Sequence, residues 1–121
     1  MRRFTSRIDI GSQTYADNSA AYDQLIGTLR ERQDYAIRGG PGRERSIERH
    51  HERGKILPRD RIELVIDHGT PFLEFSTLAS WDQYDNSAPG AGIVTGIGVV
   101  HGAPYVFIAN DATVKGGSLL P

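Results

Sequence analysis

Ile93-Val94-Thr95-Gly96-Ile97-Gly98-Val99-Val100, then His101-Gly102-Ala103-Pro104, then Tyr105-Val106-Phe107-Ile108-Ala109: the reading of this stretch decides the fold. The first run alternates apolar residues with glycines, which is the period of a strand. Gly96 and Gly98 add no strand propensity, so they mark a place where another backbone comes close. His101 to Pro104 supplies the turn. The last run is apolar without interruption, which predicts a strand buried on both faces. A turn at Pro89-Gly90-Ala91-Gly92 introduces this hairpin. The hairpin in turn feeds Asn110-Asp111-Ala112-Thr113-Val114-Lys115-Gly116-Gly117-Ser118, a polar loop with one lysine. On spacing alone the loop has two equal readings. It is a surface turn, or its glycines let backbone amides approach a ligand with a lysine close by for a phosphate.

Moving upstream, Phe72-Leu73-Glu74-Phe75 reads as a short strand, and residues 76–87, with Trp81 and Tyr84, read as a surface loop. Residues 57–67 read as a short helix. Pro58 suits its first turn, where a missing amide hydrogen costs nothing, and Ile62, Val65 and Ile66 supply the buried face. Residues 43–53 form a second helical piece with Ile47 as its one large apolar side chain, and Gly54 is its left-handed cap. Seven cations (Arg38, Arg43, Arg45, Arg49, Arg53, Lys55, Arg59) fall within 22 positions here. They make a solvated basic face, or one that meets phosphate groups or an acidic partner. The longest helix is expected from Asn18. Tyr22, Leu25, Ile26, Leu29, Ala36 and Ile37 fall on one stripe, with Asp17 or Asn18 as cap and Gly39-Gly40-Pro41-Gly42 as the stop. Residues 1–17 read as an extended arm. The chain closes on Leu119-Leu120-Pro121, where a further element is expected to begin.

Bulk properties narrow the function classes. At 121 residues the chain holds at most one domain, and a mean hydropathy of -0.41 is low for a self-contained core. A net charge of -1 gives no field that favours nucleic acid or an anionic membrane. Without cysteine there is no disulfide, thiolate site or cysteine nucleophile. No apolar run reaches the roughly 18 residues of a membrane span. The opening is basic and hydroxylated, but Asp9 interrupts it, so an untargeted N-terminus is expected.

Individual motifs fall away one by one. His50 and His51 are adjacent and diverge by about 100° on a helix, so no metal site is expected. Gly96-x-Gly98 lacks the third glycine of a dinucleotide fingerprint, since His101 stands there and a strand follows. The 111–118 loop lacks the Gly-Lys-Ser/Thr order of a phosphate-binding P-loop. Ser118, His101 and Asp111 carry no nucleophile-elbow spacing.

The ordered blocks are more specific than any single motif. Arg49-His50-His51-Glu52-Arg53-Gly54-Lys55-Ile56-Leu57-Pro58-Arg59-Asp60-Arg61-Ile62 resembles a segment of the carboxyltransferase (beta) subunits of biotin-dependent acyl-CoA carboxylases. Asp67-x-Gly69-Thr70-Pro71-Phe72-Leu73-Glu74, Tyr84-Asp85, Pro89 through Gly98, and Ala109-Asn110-Asp111-Ala112-Thr113-Val114-Lys115-Gly116-Gly117 are similar to further blocks in the same order. The wording of the last block is most similar to the 3-methylcrotonyl-CoA type, with the geranyl-CoA type as a neighbour. Departures stand at His68, where proline is usual, at Val99, where arginine is usual, and at Ser118-Leu119-Leu120, where a hydroxyl residue and two tyrosines are typical.

The resemblance implies a crotonase-like α/β fold, a superhelix of β-β-α turns. Residues 1–17 would be an arm, 18–69 a helical lead-in and 70–121 the start of the N-terminal carboxyltransferase domain, an incomplete part of that fold. It implies transfer of a carboxyl group from carboxybiotin to an acyl-CoA. Biotin is carried by a biotin carboxylase/biotin carrier alpha subunit, and the beta subunits form a homo-oligomer. Neither nucleic acid nor membrane is a partner. The setting it implies is the bacterial cytoplasm rather than the mitochondrial matrix. The glycines that stabilise the developing oxyanions lie downstream in such proteins, so no catalytic residue and no metal ligand is expected in this chain. Lys115, Gly116, Gly117 and Ser118 are the candidate cofactor-site residues, one wall of a coenzyme A thioester pocket. Unpaired strand edges predict that the isolated chain is marginal or aggregates. Alternatives are a propionyl-CoA or geranyl-CoA carboxylase subunit, a biotin-dependent CoA-ester decarboxylase subunit, a truncated inactive gene product, and a non-catalytic fragment that docks a biotinylated partner.

Overall fold

The computed structural model describes residues 3–40 and 42–118; Met1, Arg2, Pro41 of the expected helix stop, and the closing Leu119-Leu120-Pro121 lie outside the described residues. Three helices precede a three-stranded sheet: α1 (Gln13–Arg38), α2 (Glu44–Glu52), α3 (Pro58–Val65), then β1 (Leu73–Phe75), β2 (Ile93–Val100) and β3 (Ala103–Asn110). The chain divides into two compact units, Met1–Arg32 and Gln33–Pro121, and α1 begins in the first and ends in the second.

In the first unit α1 starts at Gln13 rather than Asn18. Ser12 is the reason. Its hydroxyl accepts from the Tyr15 amide at 3.2 Å and donates to the Asp9 carbonyl at 2.7 Å, so it caps the helix ahead of the expected Asp17 or Asn18. The helix therefore takes in the end of the stretch read as an arm. Tyr22, Leu25, Ile26 and Leu29 share one stripe as expected, yet all four are exposed, and Ala36 is the buried residue of α1 among those described.

In the second unit α2 ends as its sequence predicts. Gly54 takes a φ of 71° and donates to the His51 carbonyl at 2.8 Å, while Lys55 donates to the His50 carbonyl at 3.1 Å. Those two bonds are the Schellman closure, which satisfies carbonyls that the helix leaves free. α3 carries Pro58 at its first position and buries Ile62. Val65, expected in the buried face, is exposed. The cause is that the helix ends there: Ile66 is extended, and Asp67 donates its amide to the Val99 carbonyl at 2.8 Å.

The sheet is antiparallel in the order β1-β2-β3, with Leu73 opposite Ile97 and Ile97 opposite Val106. The hairpin turn is tighter than expected. His101 and Gly102 alone form it, with φ of 50° and 78°, and Ala103 and Pro104 already belong to β3. Two successive positive φ values fit the twist of a two-residue hairpin. Asp67 clasps this turn by accepting from the Gly102 amide at 2.7 Å and the His101 amide at 2.8 Å. Those amides, Gly102 first, hold its carboxyl below the ordinary aspartate range.

One sheet face is covered and the other is not. On the covered face Val94, Gly96 and Gly98 are buried, and the Phe72 and Phe107 rings meet edge to face at 5.9 Å. A Cβ at Gly96 would come within 2.3 Å of the Phe72 ring and 2.6 Å of the Leu73 carbonyl, and one at Gly98 within 2.6 Å of Ile66. The expected close approach is therefore real, made by side chains as well as backbone. On the other face Leu73, Phe75, Ile97, Val106 and Ile108 are exposed. The expectation that 105–109 is buried on both faces is corrected: β3 pairs on one side only and is exposed along most of its length. The 76–87 loop is also less superficial than expected. Ser80 is buried, donates to the Ala88 carbonyl and accepts from the Ala91 amide at 3.0 Å.

Candidate functional site

The 111–118 loop leaves β3 through a buried polar cluster. Arg43, just ahead of α2, is 6% exposed; Asp111 is 4% and Thr113 8%. The Arg43 guanidinium pairs with the Asp111 carboxylate through one nitrogen. Its Nε donates to the Thr113 hydroxyl at 2.9 Å, and its remaining nitrogen donates to the Ile37 carbonyl at 2.7 Å. The Thr113 amide donates to the second Asp111 oxygen at 2.9 Å, and the Thr113 hydroxyl donates to that same oxygen. Every arm of the charged pair is met, which is the condition for burying it. Gly39 makes room: a Cβ there would stand 1.9 Å from the Arg43 Cδ. Asp111 is thus engaged by an arginine, while His101 stands in the hairpin turn, so the structure does not join them.

Beyond this cluster the backbone makes a single 3-10 turn, Lys115–Gly117, with positive φ at all three residues (46°, 70° and 84°). Two glycines suit such a turn, since glycine enters the left-handed region without a Cβ clash, whereas Lys115 enters it with one. The Ser118 hydroxyl turns back to donate to the Lys115 carbonyl at 3.0 Å, and Gly117 donates to the Val114 carbonyl at 2.8 Å. A Cβ at Gly116 would meet nothing within 4 Å, so that backbone faces open space.

Lys115 and Gly116 line one side of an open groove of about 460 Å³. Ser46, Arg49, His50 and Arg53 of the α2 region, with Lys55, line the other. Gly117, the last residue of the turn, and Ser118, which follows it, do not line this groove. Four cations therefore share one groove, although the chain as a whole carries a charge of -1. Sequence reasoning saw the basic helix and the lysine loop separately and did not join them. The available signal was the spacing of Ser46, Arg49, His50 and Arg53, which at i, i+3, i+4 and i+7 share a helix face. A second depression, about 760 Å³, lies between α3 and β1 and is mostly apolar (Ile62, Leu64, Ile66, Phe72), with the Arg59–Glu74 ion pair at its edge. That pair is bidentate, at 3.0 and 2.6 Å.

Residues 49–121, more than half of the chain, match the carboxyl transferase domain family. The chain belongs to that family. Among relatives of this carboxyl transferase segment, the probable mitochondrial methylcrotonoyl-CoA carboxylase beta chain of Drosophila melanogaster is 44% identical over 117 residues, 96% of this chain and 20% of its own length. The biotin-dependent 3-methylcrotonyl-coenzyme A carboxylase beta1 subunit of Mycobacterium tuberculosis is 48% identical over 98 residues, 81% of this chain and 18% of its own. The solved beta subunit of geranyl-CoA carboxylase from P. aeruginosa superposes with a TM-score of 0.80 at 29% identity, covering 96% of this chain and 21% of that one. The carboxyl transferase segment thus spans about a fifth of the length of the relatives it matches. Its fold class is that of these carboxyltransferase beta subunits, the crotonase-like class the sequence implied.

Proposed function

We propose that the chain is the opening part of a biotin-dependent acyl-CoA carboxyltransferase beta subunit, and that its own task is to seat the acyl-CoA. The observation that carries this reading is the convergence of Lys115 and Gly116 with Arg49, Arg53 and Lys55 on one groove. Coenzyme A ends in phosphate groups, and a groove with four cations and an open glycine backbone is complementary to them. Each exposed contact contributes only about 1 kcal/mol or less, so the grip comes from their number. The favoured substrate is 3-methylcrotonyl-CoA, on the strength of the two methylcrotonyl-type relatives. A geranyl-CoA substrate is the second reading, favoured by the structural superposition.

Biotin does not fit the residues present. Its head is a neutral ureido ring, whereas the groove offers cations, so biotin belongs outside this chain, on a partner subunit. The chain's contribution is positional: holding the nucleotide end of the thioester restricts where its acyl end can lie, which is how remote binding energy serves a reaction. A biotin carboxylase/biotin carrier alpha subunit, a homo-oligomer of beta subunits and a bacterial cytoplasmic setting complete the proposal. The relatives include proteins named as mitochondrial and others from bacteria, and no helix among the described residues is long and apolar enough to cross a membrane.

The test is calorimetric titration of the chain, kept monomeric as a fusion to a carrier protein, with coenzyme A and with 3′,5′-ADP. Binding that weakens with added salt and with Lys115→Ala is expected, since exposed ion contacts are screened. Absence of binding at low salt, or binding indifferent to Lys115 and Arg53 together, sinks the reading. Substrate choice is then read from transfer of labelled bicarbonate to 3-methylcrotonyl-, geranyl- and propionyl-CoA by the full-length subunit with its biotin-bearing partner.

A further inference from the structure

The two sides of the cationic groove come from segments far apart in sequence, and both are anchored at one point. Arg43 immediately precedes α2, which carries Ser46, Arg49 and His50 and ends on Arg53 as its C-cap; Asp111 and Thr113 stand a few residues ahead of Lys115 and Gly116. We propose that the buried Arg43–Asp111 ion pair, with Thr113 bonded to both partners, is a positioning device that sets the spacing between the cationic face of α2 and the Lys115 turn. It rests on the reading of the groove as the seat of a phosphate-bearing coenzyme A thioester.

Three observations support positioning rather than cohesion alone. The first is direction: the guanidinium bonds three different acceptors, on Ile37, Thr113 and Asp111, which fixes its plane. Both Asp111 oxygens are likewise committed, one to Arg43 and one to Thr113. The second is placement. Asp111 also donates its amide to the Gly92 carbonyl at 2.8 Å, so the pair is referenced to the start of β2, and a Cβ at Gly92 would come within 3.2 Å of Val114. The third is chemistry. An apolar contact of the same volume tolerates sliding, whereas a planar guanidinium on a carboxylate does not. The pair is neutral as a unit, so its effect on an anion in the groove acts through geometry rather than through added charge.

The experiment exploits that neutrality. In the fused chain, Arg43→Met with Asp111→Leu replaces the pair by apolar residues, an exchange that often preserves stability. The double variant is expected to melt within a few degrees of the parent and to bind 3′,5′-ADP about tenfold more weakly, the cost of lost preorganisation. Arg43→Lys, which keeps the charge but not the fork, is expected to show the same loss. Phe107→Leu, which loosens the Phe72–Phe107 contact on the covered sheet face, is the control for general destabilisation and is expected to bind as the parent does. Parental affinity in a folded double variant overturns the proposal, as does parental affinity in Arg43→Lys should the double variant not fold. If those variants bind normally while Lys115→Ala does not, the groove reading stands and only the positioning role falls. If Lys115→Ala also binds normally, both fall together.

Discussion

The junction around Arg43 and the outer face of the sheet invert the usual distribution of polarity. At the junction a full charge pair is buried with all its hydrogen bonds met. On the sheet, Leu73, Phe75, Ile97, Val106 and Ile108 stand in the open. The first region is finished within this chain and the second is not. The lesson is that specificity and adhesion are separated here. Directional bonds define where the 111–118 loop lies, while the apolar surface that would ordinarily hold such a small domain together faces outward, where it favours association over folding.

Breaking the finished region gives the largest effect. Arg43→Ala leaves Asp111 buried and unpaired, so a loss of about 3–5 kcal/mol is expected, read from chemical denaturation. A second break targets the covered sheet face. Gly96→Ala drives a methyl toward the Phe72 ring and the Leu73 carbonyl, and about 1–3 kcal/mol of overpacking is expected from the same measurement. A smaller, pH-dependent effect is expected at Asp67. Its carboxyl is held low by the Gly102 and His101 amides, so its contribution is present above the unfolded pKa and is lost as pH falls through the folded one. The window therefore lies on the acid side, below about pH 4, and Asp67→Asn is expected to flatten that limb of the stability-pH profile. The unfinished region sharpens the comparison with the smallest change in folding. Val106→Lys with Ile108→Lys is expected to move stability by no more than about 0.5 kcal/mol each, while sedimentation shows less self-association. Unfolding of that double lysine variant would mean that the outer face is covered after all.

Much of the second unit was legible because its signals are local. The alternation from Ile93 to Val100, the proline at position 58 and the glycine at position 54 each act within a few residues of themselves. The same locality explains the misses. An apolar run at 105–109 announces strand, but whether a neighbour lies beyond it depends on sheet order, and β3 is an edge. Ser12 was overlooked because Asp17 and Asn18 offer equally good capping atoms, and only the hydrogen bond to Tyr15 decides between them. The Arg43–Asp111 pair joins positions 68 residues apart, and nothing near either residue announces the other. The groove stayed hidden for the same reason, since its two sides acquire meaning only once that pair brings them together.

The clasp of Asp67 on the hairpin turn carries a kinetic consequence. Its two carboxylate oxygens hold the Gly102 and His101 amides, and its own amide is tied to Val99. Neither turn amide can then meet solvent deuterium without the same side chain letting go. Release of that side chain frees both protons together, so Asp67→Asn is expected to speed the exchange of both, as a shared latch at the tip of an otherwise exposed ribbon.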